Sequence, residues 1–167
     1  MKNKNLCVIQ ARTGSTRLPG KVLKKINGIT LLEYEIRRVK QAKKIGKIVI
    51  ATSDKKADDK IEKLCRKINI DCFRGSEDDV LDRYYKCALK YPEYSCIIRI
   101  TGDCPLIDPI VINQVIAFFK NGKYDYASNV LKETYPDGMD IEVFSQKALN
   151  MSSKNAKLTS ESEHVTL

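Results

Sequence analysis

KIVIATSDKKADDKIEKLCRKINIDCF, residues 47–73, reads as a strand, a helix and a second strand in succession. KIVIAT (47–52) is a short apolar run rich in β-branched residues, the pattern of a strand buried on both faces. From Asp54 to Asn69 the apolar residues Ile61, Leu64, Cys65 and Ile68 recur at helical spacing, with Asp54 placed to cap the first turn. Ile70–Phe73 then returns to strand. A strand, a helix and a strand of these lengths form a βαβ unit, with parallel strands and a right-handed crossover.

The alternation extends in both directions. Upstream, Leu6–Gln10 is a strand, followed by a Gly/Ser/Thr/Pro loop to Lys21. Thr30–Ile45 is a helix with Leu32, Ile36 and Val39 on one face, and Thr30 forms a capping box with Glu33. Downstream come a helix over Asp78–Lys90, a strand over Ser95–Ile100 and a helix over Pro109–Lys120 opened by its proline. Tyr124–Ser128 and Met139–Phe144 are strands, and a short helix surrounds Gln146–Met151. The expected fold class is α/β, a three-layer α/β/α sandwich on a mostly parallel sheet. In such sheets ligands bind in the crevice beyond the carboxyl ends of the strands.

Composition narrows the function. The 167 residues suffice for one domain with a real core, and 43% are hydrophobic and 31% charged, which excludes a disordered tail. No apolar stretch approaches the roughly 18 residues that span a bilayer, and the run Leu6–Ile9 is too short for a signal peptide. The expectation is therefore a cytoplasmic protein with no membrane partner. Six cysteines, at 7, 65, 72, 87, 96 and 104, contain no C-x-x-C pair, and His164 is the one histidine, so neither a disulfide framework nor a structural zinc site is indicated. Cys7 and Cys96 sit in apolar runs and read as small hydrophobes. The net charge of +9 comes from 22 lysines and 8 arginines, the lysines scattered over helices. A nucleic-acid surface concentrates arginine and interleaves aromatics, so no nucleic-acid partner is expected; the surplus suits an anionic small substrate.

Four stretches carry chemistry. In Ala11-Arg12-Thr13-Gly14-Ser15-Thr16-Arg17-Leu18-Pro19-Gly20-Lys21, glycine lets backbone N–H groups approach a phosphate. Thr13, Ser15 and Thr16 add neutral donors, while Arg12, Arg17 and Lys21 can neutralise three phosphate charges. The spacing is neither a Walker A loop nor a dinucleotide fingerprint. After the strand SCIIRI, Thr101-Gly102-Asp103-Cys104-Pro105 puts one carboxylate at the same sheet edge. A carboxylate facing a triphosphate calls for a divalent cation between them, which gives Asp103 a reason to bind metal, whereas Asp108 reads as the N-cap of the next helix. In Met139–Phe144, strand alternation puts Asp140 and Glu142 on one face, where they either meet solvent or meet a cation, metal or hydroxyl. In Arg74-Gly75-Ser76-Glu77-Asp78-Asp79, the acids suit a helix N-terminus, and Arg74 and Arg83 either face the site or pair with that turn.

IQARTGSTRLPGKVL (9–23), FRGSEDDVLDRY (73–84), RITGDCPLIDP (99–109) and DGMDIEVF (137–144) resemble, in order, the cytidylyltransferases of the spore-coat polysaccharide type. These are similar to the synthetases that make CMP-activated sialic-acid-like and ketodeoxyoctonate sugars. The resemblance implies a glycosyltransferase-A-like nucleotidyltransferase fold over residues 1–167. It also implies a Mg2+-dependent enzyme that moves CMP from CTP to a sugar or sugar-acid acceptor and releases pyrophosphate. On that reading Arg12, Lys21 and Asp103 are the catalytic set. Ala11, Arg12, Thr13, Gly14, Ser15, Arg17, Lys21, Arg74 and Thr101 bind nucleotide, and Asp103 and Asp140 bind the metal. In relatives a further C-terminal portion follows the segment resembling SESEHVTL (160–167) and contributes to acceptor and homodimer contacts. The alternatives left open are another nucleotide or a sugar-phosphate acceptor on the same fold, and a nucleotide-binding module without catalysis.

Overall fold

The structure, a computed structural model, describes residues 5–132 and 134–166. Residues 1–4, of the basic N-terminus, and Leu167, the last of SESEHVTL, lie outside them. In chain order the elements are β1 (Asn5–Gln10), β2 (Lys25–Ile26), β3 (Ile29–Thr30), α1 (Leu31–Val39), β4 (Lys47–Ser53), α2 (Asp59–Lys67) and β5 (Asp71–Gly75). They continue as α3 (Val80–Leu89), β6 (Cys96–Thr101), α4 (Pro109–Gly122), β7 (Tyr126–Ser128), β8 (Glu142–Ser145), α5 (Gln146–Asn155) and α6 (Thr159–Glu163). Six strands form one sheet in the order β5-β4-β1-β6-β8-β7. The first four are mutually parallel, and β8 runs antiparallel to both β6 and β7.

β1 sits at the centre, and its period of two divides the core. Cys7 and Ile9 face one apolar cluster with Leu32 and Ile36 of α1, Ile61 and Cys65 of α2, and Ile112 and Ile116 of α4. Leu6 and Val8 face the other, with Leu81 and Tyr84 of α3 and Leu149 of α5. Alternate side chains of one strand thus feed two layers of helices, which is the three-layer sandwich expected. All six cysteines are free, and five are buried.

Several boundaries differ from the sequence reading, each for a local reason. α1 stops at Val39 instead of Ile45 because the bonds beyond tighten to i→i−3, from Gln41 to Arg38, Ala42 to Val39 and Ile45 to Ala42. Asp54 does not cap α2: its N–H continues the sheet by donating to Gly75 O at 2.8 Å, and the helix begins only at Asp59 after a single 3₁₀ turn. β8 begins at Glu142, so Asp140 lies in the connection before it and strand alternation does not place it. Thr30 and Asp108 do cap, accepting from Glu33 N–H at 3.2 Å and Ile110 N–H at 2.7 Å. The β2–β3 hairpin escaped the reading although Asn27-Gly28 marks it: both residues have positive φ, 49° and 81°, as the two-residue hairpin turn requires.

Candidate nucleotide site

The site begins where β1 and β6 end side by side, with Gln10 paired to Thr101. One residue on, Gly102 N–H donates to Gln10 O at 2.7 Å. A Cβ at Gly102 would stand 2.8 Å from that oxygen and 2.9 Å from Ala11 Cβ, so only glycine lets the two loops leave the sheet in contact. The first loop then turns back through Gly20, whose φ of +67° is left-handed, and delivers Lys21 to the second. Lys21 Nζ donates to Asp103 Oδ2 in an ion pair across the cleft.

The cleft between the loops has a volume of about 230 Å³. Arg12, Ser15, Arg17 and Lys21 line one wall, and Thr101 and Asp103 the other. Three cations against one carboxylate leave room for a ligand of several negative charges. Burial pushes the Asp103 carboxyl up, but the Lys21 hydrogen bond and charge, with Thr101, outweigh it and hold it below the usual carboxylate value. Asp103 is therefore an anion at neutral pH. Burial, with nearby Glu35, pushes the Cys104 thiol beside it up to about 12 despite the hydrogen bond it shares with Thr101, so it is protonated at neutral pH.

Four expected nucleotide ligands are not brought to the cleft. Ala11 is 2% exposed and belongs to the core. Thr13 faces inward, its N–H and hydroxyl both donating to Asp58 Oδ1 at 2.8 and 2.6 Å. Gly14 is exposed and turns toward Glu77, whose Oε1 would stand 2.8 Å from a Cβ there. Arg74 pairs with Asp59 at 2.6 Å and Glu62 at 3.0 Å and donates to the Ser53 and Lys55 carbonyls, so its guanidinium ties β5 to α2. The arginine nine positions later behaves differently. Arg83 is fully buried, donates through Nη1 to Ser76 O, and leaves Nε and Nη2 without a partner. Burial and the charge of Arg12 lower its pKa, while the charge of Asp58 opposes them. Arg83 is thus a buried cation that is not among the residues lining the cleft. No spacing in the sequence distinguishes it from Arg74.

A second cavity of about 330 Å³ adjoins the first through Thr101. Arg99, Asp140, Glu142 and His164 line it. Glu142 is saturated: Arg99 pairs with Oε2, and Tyr126 OH (2.8 Å) and Thr166 OH donate to Oε1. Asp140 therefore shares a cavity with Glu142, while Asp103 lines the neighbouring one. Among the described residues no group of three or more His, Cys, Asp or Glu side chains converges as a metal site. A magnesium ion held by one or two carboxylates, with phosphate oxygens and waters completing its shell, suits this donor set.

An α/β sheet with a cationic loop and an aspartate at its carboxyl edge is the architecture of nucleotidyltransferases. The fold matches the structure of CMP:2-keto-3-deoxy-manno-octonic acid synthetase complexed with CTP, at a TM-score of 0.74 and 19% identity over 95% of this chain and 81% of that one. More narrowly, the chain belongs to the cytidylyltransferase family, which matches residues 6–167. It is 42% identical, over 99% of its length and 69% of the relative's, to the spore coat polysaccharide biosynthesis protein SpsF of Bacillus subtilis. The structure of a cytidylyltransferase from Leptospira borgpetersenii superposes at a TM-score of 0.92, with 36% identity over 97% of this chain and 68% of that one. An uncharacterised protein of Methanocaldococcus jannaschii is 42% identical over 95% of this chain, which spans 64% of that relative's length. Among the described residues no helix is long and apolar enough to cross a membrane.

Proposed function

We infer that the chain transfers CMP from CTP to a hydroxyl group of a sugar or sugar acid. The acceptor hydroxyl attacks the α-phosphorus and releases its proton to solvent, the bond from that phosphorus to the β-phosphate bridge oxygen breaks, and pyrophosphate leaves with its electron pair. The observation that carries this reading is the contact of Lys21 with Asp103 across a cleft flanked by Arg12 and Arg17. Sequence-distant cations and a carboxylate at one sheet edge are what a metal-chelated polyphosphate needs.

Arg12, Arg17 and Lys21 would hold the β- and γ-phosphates and neutralise the charge that grows on the leaving pyrophosphate. Asp103, with Asp140 as the second candidate, would hold Mg2+, which when bound supplies Lewis-acid polarisation of the phosphates. The neighbouring cavity lined by Arg99 and Asp140 suits the acceptor: it opens from the same Thr101 and offers both charge signs to a hydroxyl-rich acid. Here the chain resembles proteins whose named acceptors are sugar acids. One relative, from Shewanella amazonensis, is an 8-amino-3,8-dideoxy-manno-octulosonate cytidylyltransferase, 33% identical over 72% of this chain and 50% of its own length.

The test is pyrophosphate release with magnesium, each of the four nucleoside triphosphates, and panels of keto-sugar acids and sugar phosphates. Release with CTP and a sugar acid supports the reading. Release with another triphosphate or only with sugar phosphates moves the specificity, and CTP binding without release indicates a nucleotide-binding module.

A further inference from the structure

The loop that carries Arg12 and Lys21 is closed at its base by one backbone hydrogen bond, from Gly20 N–H to Thr13 O at 2.8 Å. That bond brings together the residues flanking it, so the separation of the two cations is set where Thr13 meets Gly20. Thr13 itself is held from outside the loop. Asp58 Oδ1 accepts both its N–H and its hydroxyl, and Oδ2 accepts the N–H (3.3 Å) and hydroxyl of Ser53 at the end of β4. Asp58 is 1% exposed, and although it occupies the N-cap position of α2, its side chain makes no capping bond to that helix. An aspartate at an N-cap ordinarily satisfies the helix's first N–H groups. Here the carboxylate has turned away from the helix to the base of the loop.

We propose that Asp58 is a positioning residue for the nucleotide: by fixing Thr13 it sets the spacing of Arg12 and Lys21 against Asp103. The proposal rests on the nucleotide reading of the cleft. Four donors converge on two oxygens, and an ionised carboxylate is the group that accepts and never donates. Burial would raise the Asp58 carboxyl, but hydrogen bonds from Ser53 and Thr13 together hold it below the usual carboxylate value. An asparagine of the same shape puts an NH₂ group against either the Thr13 pair or the Ser53 pair, so donor faces donor whichever way it turns.

The test compares Asp58→Asn, Thr13→Val, their double variant and Thr13→Ser in the full chain. CTP binding is titrated by calorimetry, and amide hydrogen exchange is followed without nucleotide. Each of Asp58→Asn and Thr13→Val is expected to weaken CTP binding at least about tenfold, as losing charge-assisted bonds at a binding loop does. The double variant should be no weaker than Asp58→Asn, because both changes cut the same link. Thr13→Ser, which keeps the hydroxyl, should recover most of what Thr13→Val loses. In Asp58→Asn the amides of Thr13 and Gly20 should exchange faster while β1 and β6 keep their protection, which separates a loosened loop from an unfolded chain. Single variants that bind within about twofold of wild type, or losses that add in the double variant, would overturn the proposal. If the wild-type chain binds no CTP, the nucleotide reading fails. The exchange data then judge the anchor alone, and unchanged protection at Thr13 and Gly20 overturns it.

Discussion

Replacing Lys21 by alanine separates binding from stability. In the free protein Lys21 and Asp103 are 25% and 33% exposed, so their ion pair contributes at most about 1 kcal/mol to folding. Facing a triphosphate, the same ammonium makes a charge-assisted bond worth about 1.5–3 kcal/mol. At about 1.4 kcal/mol per tenfold, Lys21→Ala should lose roughly 10- to 150-fold in CTP affinity or kcat/KM while its melting temperature shifts only slightly. A second consequence follows from Asp103. Without Lys21 the hydrogen bond and charge that lower its carboxyl are gone and burial remains, so its pKa rises. The acid limb of the pH–rate profile should therefore move to higher pH in the variant. Titration calorimetry with CTP and magnesium, pyrophosphate release across pH, and thermal denaturation read the three effects. CTP affinity within about twofold of wild type, with the acid limb unmoved, would refute the reasoning.

Arg83→Met keeps the bulk and removes a fully buried charge with two unpartnered donors, so stability in denaturant unfolding should hold or rise. A loss above about 1 kcal/mol would show that its hydrogen bond to Ser76 O outweighs the cost of the buried charge. Gly102→Ala should cost about 1–3 kcal/mol in denaturant unfolding, because its Cβ would meet Gln10 O and Ala11 Cβ below 3.0 Å. Glu35 lies fully buried under the Asp103 turn, accepting from Cys104 N–H at 2.9 Å, and burial raises its carboxyl well above 4.5. For an acid raised in the fold, stability is whole below the unfolded pKa and is lost as pH climbs through the folded one. Glu35→Gln should then be more stable than wild type at alkaline pH and lose that advantage below about pH 4.5. Unfolding curves at the two extremes check the sign.

The strand-and-helix order and the meeting of the two loops were legible because they rest on strong local signals. Apolar runs such as KIVIAT make strands, and glycine, proline and charge cluster at their ends. Once β1 and β6 are parallel neighbours, Lys21 and Asp103 have little choice but to meet. What stayed hidden depended on direction. Thr13 looks like a phosphate donor beside Arg12, and nothing in the sequence reveals that Asp58, 45 positions away, takes both of its protons. Arg74 and Arg83 flank the same acidic turn, yet one meets the carboxylates of Asp59 and Glu62 and the other is driven inside by α3. The β2–β3 hairpin was a different kind of miss, since Asn27-Gly28 states it openly. Side-chain orientation at a loop base is a tertiary outcome, and periodicity carries no information about it.

A crystal structure of the chain soaked with CTP and magnesium addresses the central claim most directly. The account predicts the β- and γ-phosphates lying between Arg12 and Lys21, with the metal bridging them to Asp103. Electron density for the triphosphate elsewhere, or for phosphates in this cleft with the ion away from Asp103, would contradict it.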